Sequence, residues 1–256
     1  MSDTLQLRTA IIGLIGLAAV EEELLLAAAA GAVAGAAAGA VAGAVAEAGG
    51  PDCWAAAPIV AHNTEFRRQQ VQRLDAIRLG RTPPTFAEID HRSEDVYRGY
   101  CEQPAASVAQ TCRQVTATLI DGVAGVSDDD LLDPSRHPWL QGRQLWLQII
   151  VRGFWHPMGH IGDYYLDHAQ PDRAVALQSH AVAFASYLTT PAMAAGMARY
   201  NLACVQARAE LPDAAIETLA AAIALNPALL ANIGRDADLA ALRDTGRLDP
   251  LLASRS

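Results

Sequence analysis

The chain contains no lysine, so arginine alone supplies its basic side chains, and the formal charge is −9. Such an acidic balance excludes nucleic acid or an anionic membrane surface as the main partner. Aromatic residues are scarce at 5%, and runs of Val, Ile and Tyr are few, so Ala and Leu fill most of the apolar half of the chain. Ala and Leu are the best helix formers, and the expected fold class is all-α. The four cysteines, Cys53, Cys101, Cys112 and Cys204, form no C-x-x-C pair. That argues against a thiolate metal site or a disulfide framework and fits reduced thiols in a cytoplasmic protein. There is no G-x-S-x-G, no phosphate-binding glycine loop and no dinucleotide fingerprint. With 256 residues there is room for one large or two small domains.

The stretch Leu24 to Ala46 is uncharged and spaces Gly31, Gly35, Gly39 and Gly43 four apart. Length and spacing resemble a membrane span, but after Leu26 the run holds only Ala, Gly and Val. Both flanks are acidic, at Glu21 to Glu23 and at Glu47, so nothing orients it across a bilayer. In water, four glycines within a helix cost about 4 kcal/mol relative to alanine. The expectation is a low-complexity insert at about 27–50, partly helical or disordered, and no membrane partner.

The hydrophobic spacing predicts four amphipathic helices. The first starts near Asp3 with Leu7, Ile11, Leu14, Ala18 and Leu25 inward. The second runs from Pro58 to about Leu79, with Ile59, His62, Phe66, Gln70 or Val71, Leu74 and Ile77 inward. Arg67, Arg68, Gln69, Gln72 and Arg73 are expected mostly on its outer side. The third spans about Ala105 to Val126, on a near-heptad seam of Val108, Cys112, Val115, Leu119, Gly122 and Val126. The fourth begins near Gln141 and lines up Leu145, Ile149, Gly153, His156 and His160. Long connections and four such helices suggest an up-down four-helix bundle over residues 1–168.

His62, His156 and His160 are the constellation with metal chemistry in it. Imidazoles at i and i+4 share a helix face, and a third from a facing helix completes a three-nitrogen set with positions left open for water or substrate. Pro157 complicates the pair. It deletes a backbone hydrogen bond and clashes with the carbonyl of Gly153, so the helix either kinks or breaks there. Glu65 and Asp163 are weak second candidates for orienting an imidazole or acting as a general base. His91, His137, His168 and His180 fall in loops or on exposed faces and read as ordinary.

His62 followed by Glu65, with His156-x-x-x-His160-x-Gly162 late in the fourth helix, resembles the DinB/YfiT-like four-helix bundles. The resemblance covers roughly residues 1–168. It implies one divalent ion (zinc, nickel or iron) held by His62, His156 and His160. It also implies a metal-dependent hydrolase or a transferase using a low-molecular-weight thiol, acting on a small molecule. The Ala/Gly insert and Asp163, where the family often carries Gln, depart from its pattern.

From about His160 a second pattern appears and recurs 41 residues later. Pro171-Asp172-Arg173-Ala174-Val175 matches Pro212-Asp213-Ala214-Ala215-Ile216, and Asn226-Pro227 closes the second copy. Gly162, Tyr165 and Ala174, then Ala203, Ala215, Leu219, Ala222 and Pro227, resemble the tetratricopeptide repeat. Residues 169–256 are thus expected to form helix-turn-helix repeats with a capping tail from Asp236. That resemblance implies an alternative function, a non-catalytic module that binds a peptide or protein partner on the repeats. The sequence leaves room for a homodimer.

Overall fold

The structure, a computed structural model, describes residues 3–37, 53–86, 94–188 and 190–253, with backbone alone at 32–37 and 94–96. The second half of the Ala/Gly tract, the Gly49-Gly50-Pro51 break and His91 lie outside the described residues. Among the described residues every regular element longer than an isolated bridge is helical, so the chain is all-α. No described helix is long and apolar enough to cross a membrane. The chain divides into two compact units, Ile11–Tyr164 and Tyr165–Ser256, the latter including Met1–Ala10.

In the first unit, α1 (Asp3–Ala37) carries the first part of the Ala/Gly tract as helix. Ile11, Leu14, Ala18 and Leu25 are buried, as their spacing predicts. Next come α2 (Ala56–Arg78) and α3 (Glu94–Cys101), with Pro58 in the first turn of α2, where its missing N–H has no helical partner to lose. Then α4 (Ala105–Gly125) packs along α2 and buries Val108, Cys112 and Leu119. After the short α5 (Asp128–Leu132), α6 (Leu145–Ile150) starts four residues later than the pattern predicts. Gln141 and Gly142 have φ of 53° and 80°, and neither can sit inside a right-handed helix.

Helix α2 differs most from its predicted face. Ile59, His62, Phe66, Gln70 and Leu74 are buried as expected, but so are Arg67, Gln69 and Arg73, at 0, 6 and 7% exposure. The reason is position: α2 is covered on several sides. Arg67 meets Glu22 of α1 and Cys112 of α4 at once, so a single inward stripe underestimates how much of α2 is enclosed.

In the second unit, α8 (Pro171–Tyr187), α9 (Ala192–Arg208) and α10 (Pro212–Leu225) pack in sequence, each on the next. The 41-residue offset recurs in the backbone itself. Ala169 and Glu210 both have positive φ, 55° and 60°. Gln170 N–H donates to Tyr165 O at 2.7 Å, and Leu211 N–H donates to Gln206 O at 2.9 Å. In each case the next residue is the proline that opens a helix. Gly196 permits the α9–α10 approach, since a Cβ there would lie 2.8 Å from Asn226 Cβ and 3.0 Å from Ala222 O. The tail folds as α11 (Leu230–Ile233), α12 (Ala240–Asp244) and α13 (Asp249–Ala253). Its Ile233, Leu239, Leu242 and Leu248 join Ala203, Leu219 and Ala222 in one core. Tyr200 Oη donates to Asp236 Oδ2 at 2.7 Å, which ties the start of the tail to α9.

Candidate metal centre

The chain does not break at Pro157. Val151–Trp155 forms a π-helical turn between α6 and α7 (His156–Asp167), and the His156 N–H donates to Val151 O, five residues back. His156 has φ −61° and ψ −49°, right-handed helical geometry despite the proline that follows it. The wider turn takes up the donor that Pro157 lacks. Arg67 Nη2 lies 3.4 Å from the Gly153 carbonyl, the oxygen to which a donor at position 157 would have bonded. Gly153 also lets this segment sit against α1, because a Cβ there would lie 2.8 Å from Ile15 Cγ1.

This arrangement brings His62, His156 and His160 together. One ring nitrogen from each lies within 4.8 Å of the others. The ring centroids are 5.1 Å apart for His62–His156, 4.9 Å for His62–His160 and 4.5 Å for His156–His160. His62 is 1% exposed, and the other two are half-buried. Phe66 stacks 4.1 Å from the His156 ring, and Trp54 and Tyr100 meet His62 edge-on at 5.3 and 5.6 Å. Aromatic walls hold the imidazoles while leaving their nitrogens to converge.

The donor set fits a divalent ion. Two nitrogens on one tetrahedral zinc, at about 2.0–2.1 Å each, stand about 3.3–3.4 Å apart. His62 Nε2 and His156 Nε2 are 3.2 Å apart. A shared proton between two neutral imidazoles has the same length, but it does not account for a third imidazole in the cluster.

Glu65, one turn beyond His62, is half-buried and ion-paired with Arg68. Its nearness helps raise the Tyr100 pKa, second to burial. Asp163 is half-buried on α7. Neither carboxylate joins the cluster of converging ligand atoms. Of the histidines read as ordinary, His180 is exposed on α8. His137 lies in a loop as expected and is buried there: it is 6% exposed, and its Nε2 lies 3.1 Å from the Asp130 carbonyl.

The sequence pattern missed a buried polar cluster behind the histidines. Glu22 accepts hydrogen bonds from Arg67 Nη1 at 2.5 Å, Asn63 Nδ2 at 2.9 Å and Cys112 Sγ at 3.2 Å. Glu22 and Arg67 are both 0% exposed. Burial, and then Glu22, push the Cys112 thiol up to about 11. Glu21-Glu22-Glu23 interrupting an apolar helix was the available signal, because one of the three had to face inward. A second group, Cys204, Asp236 and Asp238, also brings three ligand atoms within 4.8 Å. The Asp236 carboxylate is already engaged there, by the Tyr200 hydroxyl and the Asp238 N–H. Burial first, then Asp236, raise the Cys204 thiol far above its ordinary range, so it stays protonated.

Comparison of the chain with protein-family models, curated proteins and solved structures returned no match.

Proposed function

We propose that the chain is a DinB/YfiT-like metal-dependent protein, with one divalent ion held by His62, His156 and His160. The observation that carries this reading is the convergence of three imidazole nitrogens from α2 and α7 within 4.8 Å. The first unit is read as the family's four-helix bundle and the second as tetratricopeptide-like repeats. The activity is a metal-dependent hydrolysis or a thiol transfer on a small molecule. A divalent ion supplies Lewis acidity at such a centre, toward a thiol, a water or a substrate oxygen. The protein's own part is to hold three imidazoles in place and wall them with Phe66 and Trp54, with Glu65 or Asp163 as the candidate general base. The free thiols of all four cysteines accord with a reducing cytoplasmic location.

Elemental analysis of the purified protein tests this directly, with an expected content of about one zinc, nickel or iron per chain. His160→Ala is expected to lose the ion while keeping its circular dichroism and melting transition. A protein that arrives metal-free and takes up none of the three ions removes the reading. The recurrence of turn geometry at Ala169 and Glu210 favours a second role, a peptide partner bound on the repeats. In that case partner binding persists unchanged in His160→Ala.

A further inference from the structure

Three imidazoles share one ion only if the backbones that carry them keep a fixed spacing, because metal–nitrogen distances tolerate shifts of only about 0.2 Å. His62 comes from α2, whereas His156 and His160 come from α7, which starts directly after the π turn. Arg67 spans the two. It stands five residues after His62, about 140° round the helix, and so lies behind the histidines rather than among them. Its side chain is 0% exposed, and its guanidinium fork divides. Nη1 donates to Glu22 Oε2 at 2.5 Å, and Nη2 donates to the Gly153 carbonyl at 3.4 Å. Gly153 stands three residues before His156, and its carbonyl is the one that would have accepted from an N–H at Pro157.

Glu22 closes the arrangement from α1. Its other oxygen, Oε1, accepts from Asn63 Nδ2 at 2.9 Å, and Asn63 is the residue after His62. One buried carboxylate therefore grips α2 beside its metal ligand and, through Arg67, the turn that launches α7. Cys112 Sγ donates to the same carboxylate from α4 at 3.2 Å, which fixes it further. A buried ion pair is by itself weak evidence for stability, since apolar side chains of similar volume often serve as well. What apolar side chains cannot supply is a directed donor. The guanidinium is planar, so the Nη1 bond to Glu22 also sets where Nη2 points.

We propose that Arg67 and Glu22 are positioning residues of the histidine centre: together they fix the π turn against α2, so that His156 and His160 meet His62 at metal-binding distance. The proposal rests on the metal-dependent reading. It adds that the geometry of the centre is set by a buried ion pair that touches neither the ion nor the substrate, as supporting groups set the aim of ligands elsewhere.

Cobalt(II) is the probe, because its absorption bands report ligand geometry and its affinity for the full chain is measured by competition with a chelator. The parent is compared with Arg67→Met combined with Glu22→Leu, and with Val123→Ala, a buried position on α4 about three turns beyond Cys112. Circular dichroism and urea midpoints record the folding of each. The double variant leaves no unpaired buried charge and is expected to fold. It is nevertheless expected to bind cobalt about 10–100-fold more weakly than the parent, with shifted bands. Val123→Ala is expected to lose stability while keeping the parent's affinity and bands. Should the double variant not fold, Arg67→Lys carries the same expectation, since it keeps a charge for Glu22 but loses the fork. A folded variant of the pair that matches the parent in affinity overturns the proposal. So does an affinity loss with unchanged bands, or an equal loss in Val123→Ala. These outcomes leave the metal-dependent reading standing, whereas a parent that takes up no cobalt, zinc, nickel or iron removes that reading and the positioning role with it.

Discussion

Replacing Arg67 with methionine isolates the strongest interaction in the first unit. Its partner Glu22 is 0% exposed, and the pair is 2.5 Å apart. Removing one member of a buried ion pair costs about 3–5 kcal/mol, mainly because the other charge is left without compensation. The Gly153 carbonyl would also lose the donor that Arg67 Nη2 offers it, which adds about 1 kcal/mol or more. Asn63 and Cys112 still donate to Glu22 and offset part of this loss. The expected net effect of Arg67→Met is about 4 kcal/mol. Trp54, Trp139, Trp146 and Trp155 all lie within Ile11–Tyr164, so tryptophan fluorescence in urea follows the first unit alone. At a slope of about 2 kcal/mol per molar, the urea midpoint should fall by about 2 M. Arg67→Met combined with Glu22→Leu leaves no buried charge, and it should regain more than half of that loss. A midpoint shift below about 0.5 M refutes the reasoning, as does a double variant that merely sums the two single ones.

Two further substitutions and labels probe the surroundings. Gly153→Ala should destabilise the first unit by about 1–2 kcal/mol, because overpacking against Ile15 outweighs the helix propensity gained. Urea melts should also show that Ile15→Ala costs less stability in the Gly153→Ala background than in the parent. Native alkylation at pH 8, read by mass spectrometry, should label exposed Cys101 and leave Cys112 unmodified, since only thiolate reacts and Cys112 is pushed up to about 11. The folded state therefore holds the Cys112 proton more tightly than the unfolded state does. Its contribution is intact below about pH 9 and is lost as pH rises toward 11. The urea midpoint should accordingly fall from pH 8 to pH 10, and the fall should be smaller in Cys112→Ala, the remainder coming from groups such as Tyr100 whose pKa is also raised.

The helices were legible because the spacing of Ile11, Leu14 and Ala18, or of Val108, Cys112 and Leu119, reports a buried face directly. The histidine cluster was legible for the same reason: His62 lies on the apolar stripe of α2, and His156 and His160 are one turn apart. Arg67 and Arg73 were not. A period of 3.6 residues tells which side chains share a face, and it says nothing of how many neighbours cover the helix. Gln69 and Arg73 share one side of α2 while Arg67 stands about 160° round the helix from Gln69, and all three are enclosed. His137 was placed in a loop, but its burial was not legible, because a loop residue is buried by what folds over it, which leaves no periodic trace. The start of α6 was missed because positive φ at Gln141, a non-glycine residue, has only a weak sequence signal.

Pro157 is the point at which the sequence argued against its own site, and its chemistry explains why the site survives. Both effects of a helical proline are directed backward along the chain. The missing N–H would have donated to the carbonyl of residue 153, and the ring crowds that same carbonyl. Nothing is removed from the turn that follows, where the next N–H groups are intact. The distortion therefore falls on Val151–Trp155, which widens to a π turn, and α7 starts regular at His156. His156 and His160 lie on the undisturbed side, so their i,i+4 relation holds. A glycine at 153 tolerates the displaced backbone, and its carbonyl finds Arg67 in the core. Had the proline stood four residues later, at position 161, the same distortion would have fallen between the two histidines and turned their rings apart.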